Sequence, residues 1–193
     1  MPLEVSENII QAVRLGDRNA FAQLVDRSGN FVYAVALKML GNKQDAEDLA
    51  QDCFIKVWEK IGMYNTQYKF GTWLYRIVIN ASLDRLRKRK HDGNPLGSES
   101  QNEMLISSHL LSDQQFEERD FIEFVRILSG RLSHKQHAVF VLHDLDELEQ
   151  DEISEILDMS KGSVKSNLHL ARKALRKLLT AEEEQKTTNN DEL

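Results

Sequence analysis

Residues 43–61 read KQDAEDLAQDCFIKVWEKI, and this stretch decides the fold class. Its apolar side chains recur every three or four residues without a miss, which is the spacing of one face of an α-helix. They are Ala46, Leu49, Ala50, Cys53, Phe54, Val57 and Ile61. The opposite side carries Asp45, Asp48, Asp52, Ile55 and Glu59. The stretch therefore predicts an amphipathic helix with one buried stripe and one acidic, solvent-facing stripe.

Helical spacing extends in both directions from this stretch. Only two prolines and nine glycines interrupt the 193 residues, which favours long helices over a many-turned β fold. The sequence thus predicts an all-α protein. It leaves open whether the helix over residues 17–40 is broken near Ser28 and Gly29. Besides 43–61, the predicted helices cover residues 6–15, 17–40, 72–90, 113–130, 133–143, 151–157 and 161–179.

These helices divide into two small helical domains joined by a flexible linker. Residues 91–112 are rich in glycine, serine and asparagine and lack sustained periodicity, so they are the predicted linker. The domains on either side are residues 1–90 and 113–180. Residues 181–193 are polar and acidic and predict a disordered tail.

Several classes of protein are excluded by what the sequence contains. The longest apolar run, residues 31–37, is far shorter than the roughly 20 residues that span a bilayer. The N-terminus has no signal-peptide pattern, and a single cysteine, Cys53, excludes an internal disulfide. We therefore expect a soluble, cytoplasmic protein without membrane insertion.

An enzyme has little support in the sequence. His134 and His137 are three residues apart without a matching acidic motif, and there is no glycine-rich phosphate loop. The acidic stretch 144–158 lacks the spacing of a calcium-binding loop and fits a solvated face better. We expect no catalytic residue, no metal and no cofactor.

Charge is segregated along the chain, although the net charge is −6. Residues 85–90 form a basic run, and residues 161–177 carry six basic side chains and no acid. Residues 144–158 carry eight acids and no base. Since local patches decide which partners approach, the two basic stretches are compatible with nucleic-acid binding.

Residues 148–179 have the pattern of a helix-turn-helix. Ile153, Ile156 and Leu157 would face inward from the first helix, and Ser160 would cap the second. The second helix would then present basic and polar side chains to the major groove, among them Lys165, Ser166, His169 and Lys173. The alternative is an ordinary helical hairpin with a solvated basic face.

Residues 62–90 form a second candidate site, an aromatic loop followed by a helix. Cations at Arg76 and Arg87 could neutralise phosphates, and the Asn80 amide could meet a base edge. Tyr64 and Tyr68 suit base stacking or loop anchoring equally well. Trp73 is predicted to be a core residue, because it shares a face with Ile77.

Here the residues resemble a known family. DAEDLAQD from residue 45, FGTWLYRI from residue 70, and the following Asn80 and Asp84 are similar to region 2 of the sigma-70 family. Residues 132–179, with GSVKS at 162–166 and ARKAL at 171–175, resemble region 4. Two such domains and a linker resemble an extracytoplasmic-function (ECF) sigma factor.

The resemblance implies two partners, bacterial RNA polymerase core and promoter DNA. Region 2 would dock on the clamp helices of the β′ subunit through Asp45, Asp48, Gln51, Asp52 and Ile55. It would open the −10 element through Tyr64, Asn65, Tyr68, Arg76, Asn80, Arg87, Lys88 and Lys90. The linker would pass toward the RNA exit path, and region 4 would sit on the β flap. Region 4 would read the −35 element through Lys161, Ser163, Lys165, Ser166, Asn167, His169, Leu170 and Lys173.

The chain departs from the family pattern at Asn167 and Leu170, where relatives commonly have arginine. Each missing cation removes a phosphate contact, and an outward leucine can touch only thymine methyl groups. Two explanations stay open: a −35 sequence of different composition, or recruitment of region 4 by a partner that binds or is guided by nucleic acid. An anti-sigma partner is also left open. A stand-alone helix-turn-helix regulator is the competing function, and it leaves the acidic stripe of 43–61 unexplained.

Overall fold

The computed structural model of the chain describes residues 5–91 and 113–190, with side chains over 5–89 and 119–177. All the regular structure of these residues is helical, as predicted. Most of the predicted linker, 92–112, and the last residues, 191–193, lie outside the described residues. Within the described ranges, no helix combines the length and apolar character that crossing a bilayer requires.

The first unit, Met1–Ile127, contains four helices up to residue 91. They are α1 (Glu7–Arg14), α2 (Arg18–Leu40), α3 (Lys43–Lys60) and α4 (Phe70–His91), with a single 3-10 turn at Ile61–Met63. α2, α3 and α4 pack on one another, and α1 packs on α2. Their shared core is built from side chains that are fully or almost fully buried, including Leu24, Val32, Leu40, Ala46, Cys53, Val57, Leu74 and Val78.

Short polar side chains define where the helices of this unit begin. Asp17 caps α2, its carboxylate accepting from the backbone N–H groups of Asn19 (2.8 Å) and Ala20 (3.1 Å). Asn42 caps α3 by accepting from Asp45 N–H at 2.9 Å. α2 is unbroken at Ser28, because that buried hydroxyl donates to the Leu24 carbonyl at 2.6 Å and needs no other partner.

The second unit, Leu128–Leu193, begins inside α5 (Asp113–Arg131) and holds the helices that follow it. They are α6 (His134–Phe140), a π-helical segment (Val141–Leu145), α7 (Gln150–Leu157) and α8 (Lys161–Asn190). Ser133 and Gln136 form a reciprocal capping box at the start of α6. Leu128, Leu132, Phe140 and Ala171 form one buried cluster of this unit, with Leu175 packed against it.

The structure differs from the sequence prediction at three boundaries. The division between units falls inside α5 (Asp113–Arg131), after Ile127, whereas the second domain was expected to begin at residue 113. The predicted helix 133–143 changes to a π-helix at Val141, so that Val141 and Leu142 are both buried. Finally, residues 181–190 are predicted to be disordered, but α8 continues through them. Their alanine, glutamate, glutamine and lysine side chains favour helices.

The corner between α2 and α3 depends on Gly41, whose φ of +59° lies in the left-handed region. A Cβ there would come within 3.1 Å of Arg126 Cγ, 3.2 Å of Val125 Cγ1 and 3.3 Å of the Arg126 backbone nitrogen. Arg126 also donates from Nε to the Gly41 carbonyl at 3.2 Å. The position therefore excludes a side chain on two grounds, backbone conformation and space.

We expect Gly41→Ala to destabilise the first unit by about 2 kcal/mol, since both the positive φ and the close approach disfavour a Cβ. Gly29→Ala is the matched control: Gly29 lies inside α2, its Cβ would meet nothing within 4 Å, and alanine should stabilise by about 0.5–1 kcal/mol. Urea unfolding followed by tryptophan fluorescence measures this, because both tryptophans, Trp58 and Trp73, belong to the first unit. Equal stability of the two variants would contradict the prediction.

Candidate polymerase and nucleic-acid interfaces

The outward side of α3 carries four of the five side chains expected to contact a protein partner. Gln51 and Asp52 are exposed, and Ile55 is 58% exposed although it is apolar. Asp48 is half exposed and accepts a hydrogen bond from Gln44 Nε2 at 3.2 Å. The buried stripe of α3 fixes this orientation, and burial raises the pKa of its Cys53 thiol to about 12.

Asp45 does not belong to this exposed side, which corrects the prediction. Its side chain is only 18% exposed and turns toward α4. Arg85 Nη2 lies 3.0 Å from Asp45 Oδ1, and the Arg89 guanidinium contacts Asp45 Oδ2. Asp45 is therefore an internal partner of α4. The available signal was the spacing of Arg85 and Arg89, four residues apart on one face of a helix.

The basic run 85–90 is consequently divided between two sides of α4. Arg87 and Lys88 are exposed, and Arg87 Nη1 lies 2.8 Å from Asp84 Oδ1 in a pair exposed on both sides. The Lys90 side chain lies outside the described residues. Closer to the N-terminus of α4, Arg76 and Asn80 are also exposed, and Leu74 and Val78 are buried on the other side.

The aromatic loop before α4 has one buried and one exposed tyrosine. Tyr64 is 4% exposed, and its ring meets Phe70 and Trp73 with centroids 5.6 and 5.4 Å away. Its hydroxyl donates to the Tyr68 carbonyl at 2.6 Å, and burial raises the Tyr64 pKa. Tyr64 thus anchors the loop, and the stacking surface expected of it is not presented.

The exposed part of the loop is formed by Asn65 and Tyr68. Tyr68 is 53% exposed, and Asn65 Oδ1 accepts from Gln67 N–H at 3.0 Å in a local turn. Trp73 is half-buried against Tyr64 and Phe70, consistent with the core position predicted for it. Of the two tyrosines, Tyr68 is therefore the one available to an unstacked base.

In the second unit, α7, a tight turn and the start of α8 form the helix-turn-helix. Asp158 takes a left-handed conformation with φ of 51°, and Ser160 Oγ accepts from Ser163 N–H at 3.2 Å. The Ser154 hydroxyl donates to the Met159 carbonyl across the turn. Buried side chains then hold the two helices together, among them Ile153, Ile156, Val164, Leu168 and Ala171.

The outer side of α8 presents five of the eight residues expected at the −35 element. Leu170 is 47% exposed, and the others are Lys165, Ser166, His169 and Lys173. An open groove of about 750 Å³ follows this side of the helix, lined by Lys165, His169 and Lys173 together with Gln150, Arg176 and Lys177. The exposed side is thus basic, with one apolar side chain.

Three of the expected residues have partners within the unit. Lys161 Nζ lies 2.8 Å from Asp151 Oδ1. Asn167 is half-buried and donates from Nδ2 to the Ser163 carbonyl at 2.8 Å, one turn earlier in α8. Ser163 is itself half-buried. The Asn167 side chain therefore carries no charge, and its amide donor is used by its own helix.

Arg172, a residue that the sequence pattern does not single out, joins α8 to the π-helical segment. Its Nε donates to Asp144 Oδ2 at 2.9 Å, and its Nη2 donates to Asp144 Oδ1. These bonds from Arg172 hold the pKa of Asp144 below its usual range. No periodicity connects positions 28 residues apart, so sequence spacing carried no signal for this pair.

The described residues contain no group of three or more histidine, cysteine, aspartate or glutamate side chains arranged to hold a metal ion. The three candidate sites instead consist of helical and loop surfaces with exposed cations, acids and single apolar or aromatic side chains.

Comparison with known proteins identifies both units. Residues 24–91 match the family Sigma-70 region 2, and residues 128–175 match Sigma-70, region 4. The ECF RNA polymerase sigma factor SigW of Bacillus subtilis is 36% identical over 176 residues, covering 88% of this chain and 94% of that protein. The RNA polymerase sigma-H factor of Pseudomonas aeruginosa is 28% identical over 183 residues, covering 91% and 94%.

Two solved structures share the fold. CnrH in complex with the cytosolic domain of CnrY has a TM-score of 0.64 at 23% identity, covering 90% of this chain and 96% of that one. The sigma factor RpoE in complex with the anti-sigma factor NepR from Bartonella quintana has a TM-score of 0.61 at 24% identity, covering 83% and 96%. A stand-alone helix-turn-helix regulator is not favoured, because region 2 and region 4 are both matched, in order. The chain belongs to the ECF RNA polymerase sigma factors of the sigma-70 family.

Proposed function

We propose that the exposed side of α3 docks this sigma factor on the clamp helices of the polymerase β′ subunit. The observation that carries the proposal is Ile55, an apolar side chain left 58% exposed between acids. A merely solvated acidic face explains Asp48 and Asp52 but gives no reason for an exposed isoleucine. An apolar contact surrounded by charges is the usual composition of a protein interface with a polar rim.

Reversing charge with Asp48→Lys and Asp52→Lys should weaken binding to core polymerase at least about thirtyfold, because each lysine would repel the cations that face the acids. Helix content should not change, since Asp52 is exposed and Asp48 half exposed. Fluorescence anisotropy with purified core measures the affinity. Asp26→Lys with Glu7→Lys makes the same change of charge at exposed sites outside α3. Wild-type affinity of the first double variant would show that the docking surface is assigned wrongly.

For the −10 element, we propose that α4 and the loop before it act together. Arg76 and Asn80 lie exposed on one side of α4, where a phosphate and a base edge could be met at once. Tyr68, with its exposed ring, takes the stacking role for a base removed from the duplex. Arg87 and Lys88 extend the cationic side toward the end of the helix.

Asn80→Ala, with Arg76→Ala as its companion, should leave core binding unchanged and reduce formation of the open complex about tenfold, since each removes a contact of roughly 1–3 kcal/mol. Permanganate footprinting of the −10 thymines is the measurement. Tyr64→Phe is a useful comparison, because it removes only the hydrogen bond to the Tyr68 carbonyl. Unchanged thymine reactivity in both alanine variants would reject the assignment.

For the −35 element, we propose that α8 enters the major groove with the second unit resting on the β flap. The support is the helix-turn-helix geometry and the cations at Lys165 and Lys173 on the exposed side. Leu170 then faces the groove as an apolar reader of a thymine methyl group. An altered −35 sequence follows from this arrangement without a recruiting partner.

The methyl contact of Leu170 can be tested by removing the methyl group from DNA. Holoenzyme selected on promoters with a randomised −35 region should prefer thymine at one position. Replacing that thymine by deoxyuridine should weaken binding about fourfold, the value of roughly 0.8 kcal/mol for one buried carbon. Leu170→Ala should abolish the difference between the two bases. If no position distinguishes thymine from deoxyuridine, while Leu170→Ala still impairs initiation in cell extract, recruitment by a partner is favoured instead.

An inhibitory protein is the remaining partner in the proposal. The solved RpoE structure contains an anti-sigma factor, and a partner of that class is compatible with a sigma factor of the same fold. Copurification of the full chain from its native cell, with and without core polymerase, tests whether such a protein is present.

A further inference from the structure

The cations at the end of α4 point in two directions, and this division separates two roles within one basic run. We propose that Arg85 is a positioning residue for the polymerase-docking surface, acting through Asp48, and that Arg85 and Arg89 take no part in binding DNA. The inference rests on the proposed function of α3 and α4.

The geometry places Arg85 between two carboxylates of α3. Its Nη2 lies 3.0 Å from Asp45 Oδ1 and 3.5 Å from Asp48 Oδ2. Arg89 contacts the second oxygen of Asp45. Two guanidinium groups and two carboxylates therefore form one cluster without net charge, and it connects the first two turns of α3 to the last turns of α4.

The two acids of this cluster differ in how firmly they are held. Asp45 is 18% exposed and has an arginine on each oxygen, so removing both arginines would leave a largely buried carboxylate unpaired. Asp48 is 48% exposed and has the longer distance to Arg85. A cation of the polymerase can therefore take Asp48 while Arg85 keeps Asp45 as its partner.

Asp48 is also oriented before any partner arrives. Gln44 Nε2 donates to its Oδ1 at 3.2 Å, while Arg85 lies against its Oδ2. A side chain held in its binding conformation loses less rotamer freedom on association, and this loss typically costs about 0.5–1.5 kcal/mol per side chain. Arg85 thus favours docking without itself touching the polymerase.

The same contacts remove Arg85 and Arg89 from the surface that meets DNA. Arg85 and Arg89 are held by a carboxylate that is only 18% exposed, so they displace no counterions from phosphates. Lys88 is exposed, and the pair of Arg87 with Asp84 is exposed on both sides and weak, so these two cations can do so. Of residues 85–90, we therefore assign salt-dependent DNA binding to the outward-facing cations only.

The test is a double-variant cycle on core affinity, made with the full chain and purified core polymerase. Arg85→Gln should weaken core binding about three- to tenfold in the wild-type background, the range expected from losing one preorganised side chain. In the Asp48→Asn background the same substitution should have no further effect. A general loss of stability would reduce affinity equally in both backgrounds, and that outcome would overturn the inference.

Salt dependence of promoter binding by the holoenzyme gives an independent readout. Arg87→Gln should lower the slope of log affinity against log salt by about 0.9, and Arg85→Gln should leave it unchanged. A reduced slope for Arg85→Gln would overturn the inference.

Arg85→Lys is the second variant if the Arg85→Gln protein does not fold. It keeps the charge, but a single ammonium group replaces the guanidinium and its two terminal nitrogens. We expect an intermediate core affinity and an unchanged slope.

The outcomes also separate this inference from the proposed function. Wild-type core affinity of both the Asp48→Asn protein and the Asp48→Lys, Asp52→Lys double variant would reject the docking surface, and the positioning role with it. Wild-type affinity of Asp48→Asn alone would reject only the positioning role. A weakened Asp48→Asn protein on which Arg85→Gln acts as strongly as on wild type would reject the positioning role alone.

Discussion

Burial of one stripe of α3 between α2 and α4 is the constraint on which the first unit depends. Ala46, Cys53 and Val57 are completely buried there. When one side of a helix is buried in a core, the residues on its opposite side must face solvent. The exposure of Asp52 and Ile55 follows directly. The same packing brings the first turn of α3 alongside the end of α4, where Asp45 meets two arginines. The packing that forms the core thus also arranges the exposed side of α3, which we propose as the docking surface.

Periodicity predicts only what one helix determines for itself. The helices and the outward directions of Ile55 and Leu170 were predictable, because each follows from the apolar positions of its own segment. The pairing of Arg85 with Asp45 joins residues 40 apart, and it depends on how α3 and α4 pack. The anchoring role of Tyr64 depends likewise on Phe70 and Trp73 closing around it. Tertiary contacts therefore decided which members of the predicted sites remained exposed.

In both units, some basic side chains pair with carboxylates of another segment and others remain on the open surface. In the first unit Arg85 faces carboxylates of a neighbouring helix, and Arg87 remains exposed. In the second, Arg172 is hydrogen-bonded to Asp144, whereas Lys165 and Lys173 of the same helix are exposed. Guanidinium groups suit the paired positions because they carry several N–H donors: Arg172 bonds both oxygens of Asp144, and Arg85 lies between Asp45 and Asp48. Counting basic residues in the sequence overstates the charge that each surface offers to a nucleic acid.

The separation of charge within the second unit also determines how that unit can approach a polyanion. Its acids lie mainly on α7 and the segment before it, and its exposed lysines lie on α8. At physiological salt, charges farther away than about 8 Å are largely screened. The charge on the nearest side of the unit, rather than its net charge, therefore determines the interaction with DNA. A protein with one side attracted and one side repelled by a polyanion is rotated by the electrostatic field of that polyanion before contact. The acids on and before α7 therefore disfavour the approach of a polyanion from their side, and the lysines of α8 favour its approach from theirs.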